Sequence, residues 1–267
     1  MIPARGTRRT QVMHHSFGFL AIVLLALCLS GLTAVADGER EFLAGGAKAC
    51  PSCDLERVAL KRRDLADADL SGANLSGAIL HRARLARAKL AGANLAGANL
   101  NKTDLKNATL TKAKLARAML YEADLSAADL SGADLTDAKL QKARLTRAKL
   151  DGATLSEAIV TGARLDEASL RGADLSAANL VEVTLRRADL EGANLNSAGL
   201  VDAALREANL KGANLSEADL FGADLSGANL SGANLSEARL SRAILTGANL
   251  DGANLKGAHM PDGSIHP

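Results

Sequence analysis

From Leu55 to Leu255 every fifth residue is leucine, with the single exception of Val160, and Met260 closes the series. A five-residue period matches neither the 3.6 residues of a helical turn nor the alternation of a strand. Wound as an α-helix, the chain would smear leucine around every side and hide none of it. The chain must therefore turn a corner in each repeat. Two residues before each leucine, from Ala68 onward, stands alanine, interrupted only by Thr103 and Val183. The slot between them is most often Asp or Asn, as in Ala73-Asn74-Leu75 and Ala133-Asp134-Leu135. With no Trp, one Tyr and four Phe, the apolar volume has to come from Leu and Ala, so the interior is narrow and uniform.

These A-[D/N]-L-x-x units resemble the pentapeptide repeat family, over about residues 50–260. The resemblance implies an all-β fold: a right-handed quadrilateral β-helix with one pentapeptide per side, Leu and the preceding Ala pointing inward. The spacing of glycine tests four units per coil independently. Gly72, Gly92, Gly132, Gly152, Gly172, Gly192, Gly212, Gly232 and Gly252 recur at multiples of twenty, and only Lys112 breaks the column. A three-sided or five-sided coil would scatter it. About ten coils, spaced by about 4.8 Å, make a rod about 50 Å long. A lone coil cannot offset its ordering entropy, so stability grows with stacking.

Glycine adopts the positive φ that a type II turn needs at its third residue. The column predicts type II turns along it, and other geometries at the corners rich in Arg, Lys and Glu. On that reading Gly92 is required, whereas Gly97, one corner on, tolerates replacement.

Residues 1–36 are a different text. Arg5, Arg8 and Arg9 precede an apolar run from Phe17 to about Leu32, and Ala34-Val35-Ala36 offers a small-x-small cleavage site. That order predicts a secretory signal peptide, with an uncleaved membrane anchor as the alternative. Cys28 lacks the small preceding residue of a lipoprotein, since Leu27 stands there. Export makes the compartment oxidising, so Cys50 and Cys53 of "CPSC" are expected to form a structural disulfide. A redox CxxC is the other reading, but no βαβ pattern surrounds it. Residues 37–49 are a linker or N-terminal cap. Residues 261–267 are a tail in which Pro261 stops the stack.

With the inside used for packing, function lies on the outer faces or the ends. His81, Tyr121, Val181, Val201 and Phe221 fall on one side, and Ile79, Met119 and Ile159 share it two coils apart. An apolar column rimmed by polar residues predicts a surface for a protein partner or for self-association. Charge is also uneven: residues 54–150 hold 18 Lys/Arg against 11 Asp/Glu, and residues 151–260 hold 9 against 15. Basic clusters at Arg82–Lys89, Lys112–Arg117 and Lys142–Lys149 alternate between opposite faces, so no continuous strip for nucleic acid results.

Catalytic, cofactor and metal sites are not expected. His81, His259 and His266 lack neighbours at ligand spacing, and the serines lack a nucleophile-elbow context. The expectation is an exported, non-enzymatic, rod-like scaffold, periplasmic or secreted. The alternative is the DNA-mimic, type II topoisomerase-binding role of some family members, with an enzyme more distant. That role implies a strongly acidic cytoplasmic rod. Here, removing the three leader arginines leaves 29 basic against 30 acidic residues.

Overall fold

The computed structural model describes residues 37–267, so the expected signal peptide, including Cys28, lies outside the described residues. Parallel bridges join residues twenty apart without interruption, from Ala49–Asp69 through Asn74–Asn94 to Arg239–His259. Four pentapeptides therefore close each coil, and every coil sits in register on the next. The core leucines and alanines between Leu70 and Ala238 are at most 1% exposed. Thr103, in an alanine slot, is the one buried polar residue among the described residues, and its hydroxyl donates to the Leu80 carbonyl at 2.9 Å.

Inside the stack, a unit with Asp or Asn in its outward slot satisfies all five of its backbone donors, as the stretch from Asn74 to Ala78 illustrates. Asn74 N–H donates back to Cys53 O (2.9 Å), while Leu75 and Gly77 donate forward to Asn94 O (2.7 Å) and Ala96 O (2.9 Å). Ala78 N–H closes the corner onto Leu75 O at 3.0 Å. The fifth donor, on Ser76, is taken by the side-chain Oδ1 of Asn74 at 3.3 Å. The same two-residue reach joins Ser131 to Asp129 and Thr136 to Asp134, both at 3.0 Å. Asp and Asn dominate the outward slot because their short side chains make this local turn bond.

The corners correct the expectation of mixed turn types. The second residue after every core position, from Ser52 to Gly257, has φ between 54° and 73°, whether it is Gly92 (65°), Gly97 (63°), Arg117 (58°) or Glu157 (59°). One turn serves all four corners, because the interlocked hydrogen bonds demand the same path at each. Gly92 and Gly97 are thus conformationally equivalent, and a Cβ added at either meets nothing within 4 Å. Nothing in the structure explains why one corner collects the glycines.

The two ends differ. At the N-terminal end a helix, α1 (residues 37–44), lays Phe42 over the first coil, fully buried, and Leu55, Leu60 and Leu65 beneath it are at most 2% exposed. Arg63 donates to the carbonyls of Phe42 (2.9 Å) and Leu43 (2.8 Å), satisfying acceptors that the last turn of a helix leaves open. Cys50 and Cys53 are joined by a disulfide with Cα atoms 5.4 Å apart, both half-cystines facing the core. At the C-terminal end the tail folds back, Ile265 bridging antiparallel to His259. It covers one side only, and Leu245, Leu250 and Leu255 remain partly exposed. No helix of the described residues is long and apolar enough to cross a membrane.

Candidate functional site

Each side of the rod presents a row of outward bridge residues flanked by two corner rows. The side that begins with Asp54 and Asn74 is closed on itself. Asn94 donates to Asn74, Asn214 to Asn194 and Asn234 to Asn214, each at 3.1 Å, and this amide ladder leaves little to offer a ligand. The opposite side, with Arg84, Arg144 and Arg164 in its row, is laddered by ion pairs between adjacent coils, although Arg164 itself has none among the described residues. Arg87 meets Asp67 at 2.7 Å, Arg147 meets Glu167 at 2.8 Å, and Arg187 meets Glu207 at 2.7 Å. A shallow depression of about 370 Å³ lies on this side between Arg164, Arg186, Glu167 and Glu207. On the following side Arg171 pairs with Asp189 and Glu191.

The guanidinium hydrogen bonds of Arg147 and Arg187, and then their positive charge, hold the Glu167 and Glu207 carboxyls below the usual glutamate range. A depressed folded pKa stabilises the fold above the ordinary value and loses that contribution as pH falls through the depressed one. The thermal midpoint is therefore expected to hold down to the ordinary carboxylate range and to fall below it. In an E167Q/E207Q variant that acid-induced drop should shrink. An unchanged drop would show that the ladder contributes nothing.

Ile79, Met119 and Ile159 all stand in the bridge row of the remaining side, separated by Asn99 and Lys139. Ile79 is 42% exposed, one of three large apolar residues so open among the described residues. His81, Tyr121, Val181, Val201 and Phe221 occupy the adjoining corner row, each half-buried. The structure brings these eight onto one side but breaks the apolar column. Arg239 lies over the Phe221 ring at 4.5 Å and Arg242 at 5.4 Å, and Lys102 lies over Tyr121 at 5.9 Å. The neighbouring Glu122 carboxylate raises the pKa of the Tyr121 hydroxyl. Burial, and then the charges of Arg82, Lys61 and Lys102, push the His81 pKa below the usual imidazole value. No grouping of His, Cys, Asp and Glu among the described residues has the geometry to hold a metal ion.

What sequence reasoning missed is the state of the charges beside this column. Arg82, Arg117, Glu157, Glu182 and Asp202 have no ion-pair partner among the described residues, unlike the laddered charges elsewhere. Part of the signal was present in principle, because residues twenty apart share a corner row: Arg82, Glu157, Glu182 and Asp202 lack an opposite charge one coil away, whereas Arg117 has Asp137 there without pairing to it. This is the side with both apolar surface and uncompensated charge.

The sequence profile of pentapeptide repeats matches the chain in eight copies, with segments at residues 53–90, 88–126, 128–166, 158–196, 198–236 and 223–260. No curated protein matches it. Among solved structures, the chain is similar to HetL, a pentapeptide repeat protein involved in heterocyst differentiation regulation in the cyanobacterium Nostoc sp. strain PCC 7120. The two are 39% identical over 85% of this chain and 97% of HetL, with a TM-score of 0.75. Rfr23, a pentapeptide repeat protein of the cyanobacterium Cyanothece 51142, is 44% identical over 35% of this chain and 64% of its own, with a TM-score of 0.33. Trypsin-treated QnrB1, a plasmid-mediated fluoroquinolone resistance protein, is 20% identical over 62% of this chain and 89% of its own, with a TM-score of 0.50, a likeness of fold alone.

Proposed function

Since the chain belongs to the pentapeptide repeat family, we propose that it is an exported, non-enzymatic scaffold, a right-handed rod of about ten coils that engages a protein through its Ile79 side. The observation that carries this reading is the contrast between sides. The other three carry most of the ion pairs and the amide ladders, while this one sets the unpaired Arg82, Arg117, Glu157 and Asp202 beside half-buried apolar residues. Charged side chains of this kind steer association, and half-buried aromatic and aliphatic residues supply contact area. The Cys50–Cys53 disulfide is in keeping with an oxidising compartment.

A DNA-mimic role would ask for an acidic rod, and residues 54–150 hold 18 Lys/Arg against 11 Asp/Glu. The experiment is fractionation followed by capture. The protein is expected in the exported fraction with a mature N-terminus at Asp37, and there to retain a partner that a Y121S/F221S variant retains at least about tenfold less well. A cytoplasmic protein with an intact leader would overturn export. Equal capture by the variant would overturn the contact side.

A further inference from the structure

We propose that the partner of the Ile79 side is a second copy of this chain, docked side by side with the two rods antiparallel. The proposal rests on the reading of that side as a contact surface and adds the identity of its occupant. Its basis is charge complementarity. Along the two corner rows that border the side, the unpaired charges are mainly segregated, with Arg62, Arg82, Arg117 and Lys142 against Asp137 in the N-terminal half, and Glu157, Glu182 and Asp202 against Arg242 in the C-terminal half. A twofold axis in the interface, perpendicular to the rods, keeps each row facing the same row of the other copy and inverts its direction. Centred on the coil of Leu140, that axis sets Arg82 against Asp202, six coils away in the same row. It also sets Arg117 against Glu157, two coils away in theirs.

The same register works for the apolar row. Met119 lies one coil before Lys139 and Ile159 one coil after, so each Met119 meets the Ile159 of the second copy. Lys139 at the centre faces its own counterpart, with Asp137 of the second copy in the neighbouring corner row. Every favourable contact occurs twice, as an isologous interface requires. Parallel rods would set like charge against like in both halves, which removes that arrangement. The other three sides carry most of the ion pairs and the amide ladders, which close between neighbouring coils of one chain.

The test is a charge exchange read by sedimentation of the purified protein. Wild type is expected to show a concentration-dependent monomer–dimer equilibrium. R82E/R117E makes both members of each matched pair acidic, and E157R/D202R makes both basic, so each variant alone should dimerise at least about tenfold more weakly. Mixed in equal amounts, the two should form a heterodimer, since each half then meets its opposite. Arg and Glu already occupy equivalent left-handed corners at Arg147 and Glu167, so neither variant disturbs the fold, and unchanged circular dichroism confirms it.

A wild type that stays monomeric at every concentration overturns the proposal, as does a mixture that remains monomeric. Either failure is distinct from failure of the contact side itself, which is read from partner capture by the Y121S/F221S variant.

Discussion

Replacing Leu150 by Asp is expected to split the rod into two units that unfold independently. Leu150 is fully buried in the middle of the stack, and its N–H donates to Ser169 O at 2.7 Å. Removing a buried leucine side chain costs about 2–5 kcal/mol through lost transfer energy and the cavity left behind. The carboxylate adds its own desolvation penalty, and Thr103 is the only buried polar group among the described residues, so no buried charge compensates it. Protonation lowers the penalty without removing it. In a solenoid each coil is stabilised by its neighbours, so a defect in the middle uncouples the halves on either side. Denaturant unfolding should change from one transition to two, and limited proteolysis should cut near residue 150. Leu255→Asp is the control: it sits in the partly exposed last coil, which can fray alone, and should leave the main transition within about 1 kcal/mol of wild type. Equal damage from both substitutions would refute nearest-neighbour stacking as the source of stability.

Much of the fold was legible, because periodicity required a corner in each repeat and counted the sides, while the resemblance to the pentapeptide repeat family supplied the β-helix. A five-residue Leu period excludes helix and strand, and the twenty-residue recurrence of Gly72 through Gly252 counts the sides. Exceptions such as Val160 and Val183 are absorbed because they keep an apolar group pointing inward, each fully buried. The role of the outward Asp and Asn was not legible. Their frequency can be counted, but the bond from Asp134 Oδ1 to the Thr136 N–H exists only once the corner is built.

The contact side was half legible. Phase placed Ile79, Met119 and Ile159 together. It did not reveal that Arg239 and Arg242 cover Phe221, because that depends on where two long side chains settle. Nor did the overall charge asymmetry single out the unpaired charges. Many of those charges pair in ladders such as Arg147–Glu167; the twenty-residue spacing shows which can pair, and the coordinates show which do.

Proline at position 92 and proline at position 97 are expected to damage the rod equally, although the sequence pattern ranks the two glycines differently. Both residues hold φ near +64°, at 65° and 63°, whereas the pyrrolidine ring fixes φ near about −65°. Each also donates its N–H to the coil above, Gly92 to Thr111 O and Gly97 to Ala116 O, both at 2.9 Å. Proline removes that donor and cannot follow the corner, for a cost of at least about 3 kcal/mol at either site. Alanine is the calibrating substitution. The left-handed region costs a non-glycine residue about 1–2 kcal/mol, offset in part by the lower entropy of its unfolded chain. No neighbouring atom lies within 4 Å of the added Cβ at either position, so Gly92→Ala and Gly97→Ala should each lose about 1 kcal/mol or less. Chemical denaturation of the four variants reads all of this directly. A large gap between positions 92 and 97 in either pair would mean that the glycine column answers a demand other than backbone conformation, one absent from an isolated rod whose corners all follow one path.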